Sequence, residues 1–185
     1  MTRTRVLGID PGATTWGWAV LEAVHDPGVR ISYLCGGVGN ASASTLLGLL
    51  QSFTFGVAGV ETPAGFAFEP GRVPALLRTA RTAGGAVWLL ETRGVRVVEA
   101  TAQQTRKMLC GKANANDAVV AQCIRGNVFG LPMGSIADHV ADAVMVGVVA
   151  AWVAAGKAAL PAPKAKRPGR GVLKPSAGGD RKSVV

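Results

Sequence analysis

Cysteine is scarce in this 185-residue chain, which contains only Cys35, Cys110 and Cys123. Their wide spacing matches neither a C-x-x-C metal motif nor a paired disulfide framework. Disulfide-stabilised secreted proteins and zinc-finger classes are therefore excluded. We expect reduced thiols and a cytoplasmic protein.

From the distribution of apolar residues we also expect no targeting segment and no membrane-spanning segment. The basic start is followed by an apolar run that Asp10, Pro11 and Gly12 interrupt at once, so no secretory signal is expected. The longest apolar run, Ala143–Gly156, has 14 residues. This is short for a membrane span and is typical of a buried helix. No internal repeat is visible.

The charge of the chain is concentrated at one end. With 49% hydrophobic residues the chain can form one well-filled core. Eight of the 20 Lys and Arg residues and one of the 11 acids lie in residues 157–185, which are also rich in Pro, Gly and Ala. We therefore expect one domain over residues 1–156 and a basic, disordered tail over 157–185. Such a tail suits nucleic acid, although a merely solubilising end segment is the alternative.

The segment Arg5–Leu21, RVLGIDPGATTWGWAVL, predicts a buried strand, a tight turn and a returning strand. Asp10 ends the first apolar run, and burying a lone carboxylate there is costly unless its charge is compensated. Pro11 and Gly12 form the turn, where Gly12 can take a positive φ. Asp10 is then either a functional acid or a simple cap of this turn.

The remaining chain predicts alternating strands and helices. We expect strands at Val29–Cys35, Gly56–Glu61 and Val95–Ala100, a loop at Gly36–Ser44, and helices at Thr45–Ser52, Arg72–Ala86, Gln103–Leu109, Asn116–Phe129 and Ile136–Ala155. In the helix after Glu61, Leu76, Leu77 and Ala80 are expected to face inward. The order β-β-β-α-β-α-β-α-α predicts an α/β fold with a mixed five-stranded sheet and helices on both faces.

Two acids end apolar strands in the same way. Asp10 closes the first strand, and Glu61 closes the strand that begins at Gly56. In sheets of this type, functional groups gather at strand ends beside the topological switch point. We therefore expect Asp10 and Glu61 to converge at one edge of the sheet.

The last helix carries the third polar element. In IADHVADA, His139 and Asp142 are three residues apart and share one helix face, with Asp138 nearby. Acids that converge with Asp10 and Glu61 would repel each other unless a divalent metal bound them. Hard oxygen ligands favour Mg²⁺ or Mn²⁺, and two such ions can clamp a phosphodiester. The plainer alternatives are a structural histidine and an acid that serves the helix dipole.

These motifs resemble the RuvC family of Holliday-junction resolvases, which have an RNase H-like fold. The similar segments are VLGIDPGATTWGWAV, GVE, HVADAV, and CGKANANDAVVAQCI with the following Leu131-Pro132, within about residues 5–155. The resemblance implies a metal-dependent endonuclease that acts as a homodimer and makes paired nicks on opposed strands of four-way DNA junctions. It assigns the catalytic and metal-binding roles to Asp10, Glu61, His139 and Asp142, of which the last two form the family's H-x-x-D variant.

Two positions depart from the family pattern. The aromatic residue usual three positions after the second acid is Ala64 here, and Phe66 and Phe68 lie close by. The lysine usual at the start of the helix after the Gly-rich turn is Asp117, so its phosphate contact is lost or moved. The residues that we expect to contact DNA are Phe66, Phe68, Arg78, Arg81, Arg106, Lys107 and Lys112.

Two other functions compete with cleavage. The segment Gly8–Thr14, GIDPGAT, also fits the opening of sugar kinases and actin-like ATPases. Those proteins enclose a nucleotide between two such domains, and this chain has room for one. A junction-binding protein that has the fold without the activity is the second alternative.

Overall fold

The structure is a computed structural model that describes residues 2–26, 28–63, 73–134 and 136–161. The strands are β1 (Thr2–Pro11), β2 (Thr15–His25), β3 (Val29–Asn40), β4 (Val57–Glu61), β5 (Arg96–Ala100) and β6 (Val128–Phe129). The helices are α1 (Ala43–Ser52), α2 (Val73–Thr92), α3 (Ala102–Cys110), α4 (Asp117–Asn127) and α5 (Asp138–Ala154). None of the helices in these ranges is long and apolar enough to cross a membrane.

The strands form one mixed sheet in the order β5-β4-β1-β2-β3-β6. The first three strands make an antiparallel meander, while β4 runs parallel to β1 and β5 runs parallel to β4. The predicted mixed sheet is therefore confirmed. The meander gives way to parallel strands at the pair β1–β4.

Over the described residues the sheet has six strands where five were expected. Helix α4 ends at Asn127, whose side-chain amide donates to the Cys123 carbonyl oxygen at 2.8 Å. Val128 is extended, and β6 pairs in parallel with Ile31 and Ser32 of β3. The expected order was wrong here, because it continued the helix through β6. It also left out one of the three helices that follow β5.

Helices cover both faces of the sheet, as expected. On one face α3, α4 and α5 pack over a cluster that includes Val6, Leu21 and Ile124. On the other face α1 and α2 pack over Leu7 and Ile9. Alternate residues of β1 thus point into different cores, as the two-residue period of a strand requires. The central part of α5 is buried, which confirms the prediction from its apolar sequence.

Glycines in the sheet allow α5 to approach very closely. A β-carbon on Gly8 of β1 would overlap the carbonyl oxygen of Ala143, and one on Gly59 of β4 would overlap that of Val146. The backbone of the helix therefore rests directly on the backbone of the sheet. This contact fixes the height of α5 above the strand ends that carry the acids.

Glycine has a similar packing role in β3, where a loop was expected over Gly36–Ser44. The strand continues to Asn40, and a β-carbon on Gly37 would lie 3.1 Å from the Trp18 ring. Gly12 is likewise required by close approach rather than by a positive φ, because a β-carbon there would overlap the Thr15 carbonyl oxygen. The loop prediction was therefore wrong as far as Asn40, and Gly12 does not use the positive φ that is open to it.

Helix α2 packs on the sheet through its second half only. Its buried residues are Ala83, Ala86 and Leu90. Leu77, expected to face inward, is 64% exposed, and Ala80 is also exposed. The inward prediction was wrong because it extended the buried stripe into a part of the helix that does not cover the sheet.

Candidate active site

The site is built on the carboxyl ends of two adjacent parallel strands. Ile9 of β1 pairs with Val60 of β4, and Asp10 and Glu61 are the next residue on each strand. Asp10 is buried, and Glu61 places its Oε2 atom where it has no hydrogen-bond partner among the described residues. The expected convergence of the two acids is confirmed.

Helix α5 brings its first turn to this edge. The Nδ1 atom of His139 lies 2.6 Å from Oδ2 of Asp10, although the two residues are 129 positions apart in the chain. The alternative of Asp10 as a mere turn cap therefore lacks support, since its side chain bonds to another element. Asp142 follows one turn later and is partly buried.

Asp138 and its neighbour His139 have different surroundings, and the side chain of Asp138 does not have the contact to Asp10 that His139 makes. It is the first residue of α5 and the acid of its first turn, where the helix dipole favours negative charge. Its side chain is exposed and helps to line a cavity of about 150 Å³ between α4 and α5. The dipole role considered for Asp142 thus belongs to Asp138, and His139 is the residue of the pair that contacts Asp10.

Arg106 lies inside this cluster rather than on an open surface. Its Nη1 donates to the Ala115 carbonyl oxygen at 3.0 Å, and its Nη2 lies 3.4 Å from Asp117 and 3.9 Å from Asp142. The residue was expected to contact DNA, but its guanidinium is engaged within the protein. Sequence reasoning missed this environment, because the contacts join α3 to α4 and α5 across the fold.

The acids perturb each other's protonation. Burial, followed by the negative charges of Asp10 and Asp142, raises the pKa of Glu61 to about 8, while the charge of Arg106 opposes the shift. Burial and the nearby Asp10 raise the pKa of Asp142 to about 6, against the charges of Arg106 and His139. Mutually repelling carboxylates at a sheet edge are typical of a functional site and favour a bound cation.

The donor set fits a hard divalent metal by its chemistry. Three carboxylates and one imidazole meet here, and Glu61 Oε2 is buried with its hydrogen-bonding capacity unused by the described residues. No group of three or more His, Cys, Asp or Glu side chains in the described ranges is gathered tightly enough to enclose an ion as the side chains stand. The contact between His139 and Asp10 uses an oxygen that a metal would take.

The other predicted DNA contacts are dispersed. Phe66 and Phe68, like Ala64, lie outside the described residues. Arg78 and Arg81 are exposed on α2, and Lys107 and Lys112 are exposed on and just after α3. The three cysteines, expected to be reduced, are free thiols.

The mixed sheet and the acids at its edge define an RNase H-like nuclease domain. A model of the family described as crossover junction endodeoxyribonuclease RuvC matches residues 6–150. The chain is 31% identical over 165 residues to the crossover junction endodeoxyribonuclease RuvC of Methylocella silvestris, which covers 84% of this chain and 90% of that protein. The chain belongs to the RuvC family of crossover junction endodeoxyribonucleases.

Solved structures agree with this assignment. Thermus thermophilus RuvC, alone and in complex with a Holliday junction substrate, superimposes with TM-scores of 0.67 and 0.68 at 26% identity, covering 85% of this chain and 99% of that one. The yeast mitochondrial Holliday junction resolvase Ydc2 shares the fold, with a TM-score of 0.57 at 15% identity over 80% of this chain and 78% of that one. The ATP-binding alternative is therefore not supported.

Proposed function

We propose that this chain resolves four-way DNA junctions by paired nicks on opposed strands. The observation that carries the proposal is the contact between His139 and Asp10 at the edge where Glu61 and Asp142 also converge. The Thermus relative in complex with a Holliday junction supports the choice of substrate. Asp10, Glu61, His139 and Asp142 are the proposed catalytic residues.

The same four residues are proposed to hold Mg²⁺ or Mn²⁺, with two ions per site. Bound there, the ions would polarise the scissile phosphate and lower the pKa of the attacking water. Glu61, whose pKa is raised to about 8, would hold the cation in its ionised form. Asp10 and His139, which now bond to each other, would both serve as ligands. Arg106 would stay beside Asp142 as a fixed positive charge.

DNA contacts are proposed for the exposed basic residues Arg78, Arg81, Lys107 and Lys112, for Phe66 and Phe68, and for the basic segment that follows residue 156. Exposed lysines and arginines bind phosphates by counterion release, which fixes the position of DNA without reading its sequence. Arg106 is the weaker candidate for such a contact, because Ala115 and Asp117 already bind its guanidinium. A cytoplasmic location, consistent with the free thiols, is part of the proposal.

A homodimer is proposed to form through α2. Leu77 and Trp88 are 64% and 66% exposed and lie eleven residues apart, which is close to three helical turns. They share one face with Gly84, where a β-carbon would meet nothing within 4 Å, and with the exposed Arg81, which is therefore the weaker DNA candidate of the two α2 arginines. Paired nicks need two active sites, and this apolar face is suited to a second copy of the chain.

The proposal is tested by incubating the protein with a labelled four-way junction, a Y-fork and a linear duplex, each with Mg²⁺, with Mn²⁺ and with chelator. We expect symmetrical cuts in the junction only when metal is present. If the protein bound the four-way junction tightly but did not cleave it with Mg²⁺ or with Mn²⁺, the result would contradict the proposal and support the non-cleaving alternative. Equal cutting of all three DNAs would contradict junction selectivity.

A further inference from the structure

Gly17 lies where three elements of the site meet. In β2 it pairs directly with Asp10 of β1. Above it lies the first turn of α5, so that a β-carbon on Gly17 would overlap the His139 carbonyl oxygen and come within 2.8 Å of the His139 β-carbon. A residue with no role in the chemistry therefore touches two of the proposed ligands.

Two other glycines support the same helix farther from the site. Gly8 faces the carbonyl oxygen of Ala143, and Gly59 faces that of Val146. These contacts lie four and seven residues beyond His139, or roughly 6 and 10 Å along the helix axis. Close packing against α5 is thus shared by these three positions, but among the glycines that the structure describes only Gly17 lies beneath His139.

We propose that Gly17 is a positioning residue for the metal site, which sets the height of His139 above Asp10. A side chain at this position must lift the first turn of α5, because both the backbone and the β-carbon of His139 are in the way. The 2.6 Å approach of His139 to Asp10 would then be lost while the rest of the helix stays on the sheet. The inference rests on the proposed function, since it takes these two residues as ligands.

The test compares Gly17→Ala with Gly59→Ala as the matched control. Mn²⁺ affinity is measured by calorimetry, and thermal unfolding is measured without metal. Both variants should lower the unfolding midpoint by similar amounts, because each places a methyl group under the same helix. Gly17→Ala should weaken Mn²⁺ binding roughly 10- to 100-fold, as the loss of a residue that orients a ligand does. Gly59→Ala should leave the affinity near that of the wild type.

A third variant keeps the test decisive if Gly17→Ala does not fold. Gly8→Ala acts on Ala143, beside Asp142, and should weaken Mn²⁺ binding more than Gly59→Ala does. Mn²⁺ affinities that simply follow the loss of thermal stability in all variants would overturn the inference.

His139→Ala separates the inference from the proposed function. If it leaves Mn²⁺ affinity unchanged, the ligand assignment is wrong and the inference is overturned with it. If it weakens binding while Gly17→Ala behaves like Gly59→Ala, only the inference is overturned.

Discussion

Burial and charge decide the state of single residues at the sheet edge. Glu61 is the last residue of the buried strand β4, and without metal its burial and the charges of Asp10 and Asp142 make its ionisation unfavourable. The raised pKa values of Glu61 and Asp142 have a common cause, since each carboxylate is partly desolvated beside Asp10. The negative charges of these acids thus repel each other, and a bound cation would reduce this repulsion.

The stability of the metal-free protein should therefore depend on pH. The pKa of Glu61 is raised to about 8 from its ordinary value of 4.5, so the folded state binds more protons than the unfolded state between these values. Stability from this group is complete below pH 4.5 and is lost as the pH rises towards 8. Thermal unfolding from pH 5.5 to 8.5 should show a larger decline for the wild type than for Glu61→Gln. Parallel curves for the two proteins would contradict the raised pKa.

His139 should control the choice of metal. Imidazole is a softer ligand than carboxylate, so the wild type should work comparatively well with Mn²⁺. His139→Asp should stay active, and its metal preference should shift towards Mg²⁺. His139→Ala should lose most of its cleavage activity. The control variant Asp138→Ala should cleave at nearly the rate of the wild type. The measurement is the ratio of the Mn²⁺ and Mg²⁺ cleavage rates. An inactive Asp138→Ala together with an active His139→Ala would show that the neighbouring acid is the ligand.

The sequence was sufficient to name the candidate acids, because local pattern places them. A carboxylate after an apolar strand and two polar residues at helix spacing can be read without a structure. The environment of Arg106 could not be predicted, since it depends on Ala115, Asp117 and Asp142 from other elements. The part played by Gly17 is visible in the sequence only as its place opposite Asp10 in the hairpin.

At the scale of elements, the sequence predicted those whose cause is local and failed where tertiary contacts decide. The apolar sequence of α5 predicted a buried helix, and the structure confirms it. The end of β3 and the short β6 were missed, because one depends on packing of glycine against Trp18 and the other on pairing with Ile31. The exposed first half of α2 was missed because the sequence does not show where the sheet ends.

The exposed face of α2 should be required for dimer formation. Trp88→Glu places a charge in the proposed apolar interface and should weaken self-association roughly 10-fold or more, as the loss of a buried aromatic anchor does. The matched control is Leu34→Glu on β3, also an exposed large apolar side chain, at 45% exposure, but on another element. Sedimentation velocity should show monomer for the first variant and dimer for the second. A dimeric Trp88→Glu protein would refute this interface.

At the scale of the whole molecule, the excess of positive charge is concentrated in the sequence after the described residues. The described chain ends beside α3, where the Gln104 side chain donates to the Pro161 carbonyl oxygen at 2.7 Å and Leu160 packs against the core. Seven of the basic residues follow this point. We predict that the segment adds phosphate contacts without distinguishing branched from linear DNA.

Truncation after Pro161 should therefore weaken binding to all DNAs alike. The slope of log affinity against log salt should fall by roughly 0.9 for each phosphate contact removed, while the preference for junctions persists. Truncation after Gly156 should in addition lower thermal stability, because it removes the contacts of Leu160 and Pro161. If the variant that ends at Pro161 lost its preference for junctions, the deleted segment would be shown to recognise DNA shape.

The proposed function depends most directly on Asp10 as a metal-binding catalytic residue. The measurement is cleavage of a labelled four-way junction by the wild type and by Asp10→Asn, with junction binding and thermal unfolding measured on the same samples. We expect the variant to stay folded and to bind the junction, while cleavage in Mg²⁺ or Mn²⁺ falls by roughly 10²- to 10³-fold or more, because the lost charge removes a metal ligand. Cleavage by the folded variant at the rate of the wild type would contradict the proposed function.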